Sequence, residues 1–208
     1  MTFGAPVLSC GVKLRPDSYH LWCARGCMHA TSREWGKGAA DMKKSLEIVT
    51  TMLSRADAPG GLWMEWSQTG QNLGALLLLA GDESGYRKLC RSLVSTQVPE
   101  IDGMYCCVSR ACTMAPAAVD DNSAPLRMAD FAVKQGPRIA WYVSALGVAQ
   151  HRAGQQQKGE AADRPRIGTH RERGRRSHGA CVCVAARRVL RNCAFGVRDR
   201  RDRRTSVV

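Results

Sequence analysis

The chain lacks any apolar run long enough to cross a bilayer. Stretches such as ALLLLA at residues 75–80 fall far short of the ~20 residues a helical span requires. It also lacks a basic residue ahead of the modest apolar patch in MTFGAPVLSCGVKL, which makes a poor secretory signal. A cytoplasmic protein with no membrane partner is therefore expected. The signatures of common chemistry are missing as well. There is no Gly-x4-Gly-Lys phosphate loop, no His-Glu-x-x-His, no His-Arg-Asp catalytic loop and no Asp-Phe-Gly. Asp130-Phe131-Ala132 stands closest to the last of these, and its Phe131 reads as a packing residue. The five histidines, His20, His29, His151, His170 and His178, show no metal-ligand spacing, and no two cysteines form a Cys-x-x-Cys knuckle. No catalytic, cofactor-binding or metal-binding residue is expected.

What remains is an ordinary complement of apolar residues, 44% of 208, enough to bury a core. The formal charge of +13 is unevenly placed: residues 1–150 hold 15 Lys+Arg against 13 Asp+Glu, and residues 151–208 hold 16 against 5. Ten cysteines are scattered through the chain as singles and close pairs such as Cys23/Cys27, Cys106/Cys107 and Cys181/Cys183. That spacing reads as reduced thiols used as small core residues, not as a disulfide framework.

The chain resembles itself at a fixed offset. Leu73-Gly74 is followed five residues on by Ala80-Gly81, and Leu146-Gly147 five residues on by Ala153-Gly154, so the copies lie 73 residues apart. That is about twice a period of roughly 34–37 residues, the length of one helix–turn–helix unit. A second spacing agrees, since Pro16 precedes Gly26 by ten residues and Pro137 precedes Gly147 by ten. At these marks the sequence resembles the tetratricopeptide repeat family, whose hairpin is written Trp-x2-Leu-Gly-x2-Tyr, then Ala-x3-Phe, then Pro. Trp22 and Gly26 hold the family's four-residue spacing, with Arg25 in place of Leu and His29 in place of Tyr. Trp35 falls where the family often opens its second helix with an aromatic residue. WSQTGQNLGALLLLAGDESGYRKLC keeps Leu73-Gly74 and places Tyr86 where the family prefers a small residue. RACTMAP with PLRMADFAVKQGP supplies a degenerate third unit, in which Ala132 and Pro137 keep their spacing. WYVSALGVAQHRAG opens a fourth. More narrowly, GDESGYRKLC, RACTMAP and WYVSALGVAQHRAG are similar to the repeat-bearing tails of bacterial serine/threonine kinases and related signalling proteins.

The resemblance implies an all-α stack of tetratricopeptide-like helical hairpins over residues 15–158, divided at about 15–50, 62–95, 103–137 and 138–158. Physical chemistry accounts for the recurring marks. Gly in the first helix lets its partner approach, and large residues such as Leu76, Leu77 and Leu79 facing Tyr86, Leu89 and Leu93 fill the space between. Gly81-Asp82 supplies a helix stop and then a cap, while Pro16 and Pro137 separate units. A linker is expected at about residues 52–61, around Ala58-Pro59-Gly60-Gly61. Residues 1–14 read as a helix left over from a preceding repeat. At the other end a turn is expected at Gly154, after which the pattern fails at QQQKGE and leaves Val143, Leu146 and Val148 incompletely covered.

Residues 159–208 read as a disordered, Arg-rich tail. From residue 164 onward Lys disappears, and Arg, Ala, Gly, Cys and Val dominate. Such a composition suits an out-of-frame reading of GC-rich DNA. It also suits an arm for nucleic acid or an acidic partner, although Phe195 alone offers a ring for stacking. Within the tail, CVCVAARRVLRNCAF has the pattern of a short amphipathic helix.

By the resemblance, first helices line a binding groove. Its residues here are His20, Cys23 and Cys27, then Gln68 and Gln71, then Ser144, His151 and Arg152, while Trp22 and Trp141 read as packing anchors. The function expected is a non-catalytic protein-interaction module with a protein or peptide partner. A detached regulatory end of a bacterial signalling kinase, and an Arg-rich nucleic-acid binder through residues 164–208, are the alternatives.

Overall fold

The computed structural model describes residues 4–163, with side chains placed for residues 6–154. Its eight helices are α1 Gly4–Leu14, α2 Tyr19–Thr31, α3 Trp35–Leu53, α4 Leu62–Leu79, α5 Glu83–Ser95, α6 Asp102–Cys112, α7 Ser123–Gln135 and α8 Ala140–Asp163. No strand occurs among the described residues, and no helix there is long and apolar enough to cross a membrane. The fold class is all-α.

The helix ends follow local chemistry. α4 stops at Gly81, whose φ of 79° is left-handed. The Gly81 amide donates to the Leu78 carbonyl at 3.2 Å and the Asp82 amide to that of Leu77 at 2.9 Å, the paired bonds of a Schellman stop. Asp82 then caps α5 by accepting from the Gly85 amide at 2.8 Å. The same stop closes α2 without glycine. Arg33 holds φ 61°, its amide reaches the Ala30 carbonyl, and the Glu34 amide reaches that of His29. The expected break before α4 is a turn-rich loop over residues 54–61, since α3 runs on to Leu53.

Each helix packs on its chain neighbour, and two further contacts skip one, α4 on α6 and α6 on α8. Thus α4, α6 and α8 form one row, with α5 packed on α4 and α6 and α7 packed on α6 and α8. α2 is held chiefly by α1 and α3. The larger core gathers Met42 and Val49 of α3, Trp66, Leu73 and Leu76 of α4, Tyr86, Leu89 and Leu93 of α5, and Val108 of α6. A smaller cluster joins Cys106 of α6, Ala132 of α7, and Tyr142 and Ala145 of α8. α6 is buried almost throughout.

Leu76 of α4 also reaches α3, its Cδ1 lying 3.4 Å from where a Cβ would stand on Gly38, and it shares the larger core with Tyr86, Leu89 and Leu93 of α5. Leu77 and Leu79 are only half-buried, and α5 also meets α4 at Gly70 and Gly74. The expected end of the repeat region is corrected. No turn occurs at Gly154, because α8 continues through QQQKGE to Asp163 and takes in residues 159–163 that were assigned to the tail. Gln, Lys, Glu and Ala are good helix formers, and one glycine costs only about 1 kcal/mol without forcing a stop. The remainder of the expected tail, residues 164–208, lies outside the described residues.

Candidate interaction surface

The six polar groove residues predicted from the sequence fall on α2, α4 and α8, with α6 standing between the last two. His20 is exposed on the first turn of α2, its ring 3.8 Å from that of Tyr19. Gln68, Ser144 and His151 are exposed. Gln71 is buried and offers no surface to a partner. Arg152 is half-buried and turned inward: Nε donates to the Thr113 carbonyl at 3.2 Å and Nη2 to that of Met114 at 3.4 Å. It thereby satisfies carbonyls left over at the end of α6. Cys23 and Cys27 are half-buried against the larger core.

Sequence reasoning had no signal for the groove between α7 and α8. It is open, about 340 Å³, and lined by Leu126, Arg127, Asp130, Leu146 and Gln150. Asp130 is bound there to Lys134 at 2.7 Å, one helical turn on, and Phe131 packs edge-on against Tyr105 at 5.1 Å. Both observations fit Phe131 as a packing residue. Beside the groove, α8 exposes Val143 and Val148. Trp141 is not an anchor: it is 37% exposed, lies against Tyr142 and receives the Arg110 guanidinium over its ring at 5.9 Å. Trp22 is half-buried, donates from Nε1 to the Pro16 carbonyl at 2.8 Å and carries the Arg25 guanidinium at 4.9 Å.

The two departures from the repeat pattern in the first unit belong together. Arg25 forms a bidentate pair with Asp41 of α3 at 2.7 and 2.8 Å, in a position where Asp41 is buried. His29 meets Glu34 at 2.6 Å and lies 3.7 Å from Asp41, and Lys37 reaches Glu34 at 2.6 Å. The hydrogen bond from Arg25 to Asp41 raises the guanidinium above its ordinary pKa. Lys37 first, then His29, lowers the Glu34 carboxyl. These five residues fasten α2 to the start of α3.

Tyr86 fastens α5 to α6. Its hydroxyl donates to the Ala111 carbonyl at 2.7 Å and accepts from the Ala115 amide at 3.2 Å, with burial the main cause of its raised pKa. Cys90 also points at the Ala111 carbonyl, and Cys112 at that of Cys90, each at 3.7 Å. Burial pushes the Cys107 thiol up to about 11. Such thiols are poor nucleophiles at neutral pH. No cluster of three or more His, Cys, Asp or Glu suited to a metal ion occurs among the described residues. Comparison with protein-family models, curated proteins and solved structures finds no match to this chain.

Proposed function

We propose that the chain is a tetratricopeptide-like interaction module, a stack of helical hairpins that binds a protein or peptide on the exposed side of its first helices. The observation that carries this reading is the row α4–α6–α8, in which alternate helices touch each other and the first two are each followed by a helix that packs back on the row, α5 and α7. Stacked hairpins generate that pattern, and extended stacks present broad binding faces. Function follows here by analogy of architecture, so the binding residues need their own test. His20, Gln68, Ser144 and His151 are the exposed members of the predicted set. Selection of peptides on the full chain should return sequence-selective ligands. Replacing Gln68, Ser144 and His151 together by Ala should weaken the best ligand about tenfold, or 1.4 kcal/mol. Ligands indifferent to those three changes, or no selective ligand at all, would reject the reading.

The charge of the C-terminal segment supports a second reading. Residues 164–208 carry 14 Arg and no Lys against 3 acidic residues. Nucleic-acid binding through this segment should weaken steeply with salt and vanish when it is deleted.

A further inference from the structure

The two copies related by 73 residues are buried differently. In α4, Gly70, Gln71, Gly74 and Ala75 are all buried; their counterparts in α8, Val143, Ser144, Gly147 and Val148, are all exposed. What covers part of the first set is visible in α5. A Cβ on Gly70 would stand 2.8 Å from Leu93, and one on Gly74 would stand 3.5 Å from Tyr86 and 3.7 Å from Leu89. The covering residues of α5, Tyr86, Leu89, Cys90 and Leu93, are spaced i, i+3, i+4, i+7. On α8 a Cβ at Gly147 would meet nothing within 4 Å among the described residues. On α4 these contacts fix the register of the covering helix, and the corresponding face of α8 is open among the described residues.

Within residues 164–208 the same apolar spacing occurs in three overlapping turns, at Val182/Ala185/Ala186/Val189, at Ala186/Val189/Leu190/Cys193 and at Leu190/Cys193/Ala194/Val197, and the middle one matches the α5 register proposed below. Val182 extends that stripe, Arg188 and Arg191 fall on the opposite side with Arg187 and Ala194 together at its flank, and Gly179 and Gly196 bound the segment. We propose that residues 182–194 seat on the Val143–Gly147–Val148 face of α8, inside the same chain, as α5 seats on α4. At one contact side-chain size supports this register. Where α4 has Gly70 facing Leu93, α8 has the larger Val143, and the segment offers the smaller Cys193. The 18 intervening residues, 164–181, can reach about 60 Å when extended, whereas the return from Asp163 to Gly147 along a helix is only about 24 Å. An out-of-frame translation has no cause to keep a helical period matched to this face.

The inference is tested on the isolated full chain without any partner, and because it covers Ser144 it leaves His20, Gln68 and His151 as the exposed members of the predicted groove set. Val143→Cys places a thiol on the exposed face. Under mild oxidation it should join Cys193 within one chain, at least about fivefold in preference to Cys181 or Cys183, since disulfide geometry tolerates little displacement. Tryptic peptides separate Cys193 from the other two, and mass spectrometry counts each product. Leu190→Asp should abolish the preference. Even use of the three cysteines, or no cross-link, overturns the proposal, and a 143–193 bond between two chains assigns the face to a second copy instead. Peptide selection scored at Gln68 and His151, outside the covered face, remains readable in all of these outcomes.

Discussion

Tyr86 shows how one residue type changes a packing scheme. A small residue at this position would leave room that the phenol fills, and its hydroxyl answers the Ala111 carbonyl and the Ala115 amide in a site closed to water. Tyr86→Phe should cost about 1–3 kcal/mol in urea unfolding, because both backbone groups lose a partner. Arg25 and Asp41 form a second such unit. Asp41→Asn should cost about 2 kcal/mol, and replacing both residues by Leu should recover most of that loss, since an uncompensated charge costs more than an absent pair. Glu34 gives a pH dependence with a fixed sign. Its folded pKa lies below the ordinary 4.5, so its contribution is complete above that value and is lost as pH falls through the lower folded one. Acid titration followed at the Lys37 and Gly38 amides should show the α2–α3 turn loosening in that range, and Glu34→Gln should remove the change. The sequence displayed Arg25 and His29 only as departures from a pattern. Their partners, Asp41 and Glu34, lie 16 and 5 residues away, and only the folded pairing shows that the departures compensate each other.

At the scale of helices, the glycine marks were informative about register and uneven about contact. Gly26 of α2 and Gly38 of α3 face each other so closely that a Cβ on either would lie 3.1 Å from the other's carbonyl oxygen. Backbone cannot yield there, so Gly26→Ala should destabilise despite alanine's higher helix propensity. Gly147→Ala, in a chain ending at Asp163, should instead gain up to about 1 kcal/mol, because nothing opposes the added methyl. Thermal unfolding of the two variants checks both signs. The stop at Gly81-Asp82 was legible because glycine and a capping acid stand together. The stop at Arg33 was not, because arginine carries no left-handed signal; Arg33→Gly should raise stability by up to about 1 kcal/mol. The end of α8 was misplaced for the opposite reason, as Gly154 offers a stop that the helix does not take.

At the scale of the whole molecule, the all-helical class of the described residues was implied by the repeat resemblance, and Leu76, Tyr86, Leu89 and Leu93 of the core were legible from helical spacing, whereas Met42, Val49, Trp66 and Val108 were not. The inward turn of Arg152 and the α7–α8 groove were not legible either, since each depends on how non-adjacent segments meet. The thiols follow the same division. Of the seven described cysteines, Cys10 is exposed, whereas Cys90, Cys106, Cys107 and Cys112 are buried. A thiol reagent at neutral pH should label Cys10 at once and those four only as the protein unfolds, with mass mapping of the labelled peptides as the check. Most helix contacts join neighbours along the chain, and the exceptions, α4–α6 and α6–α8, skip a single helix. Ends that approach over such short stretches of chain lose little loop-closure entropy, so folding is limited by local events and should be fast for a protein of this size. Because α6 is enclosed by helices from before and after it in sequence, a chain emerging from the ribosome cannot complete its core until α8 has been synthesised.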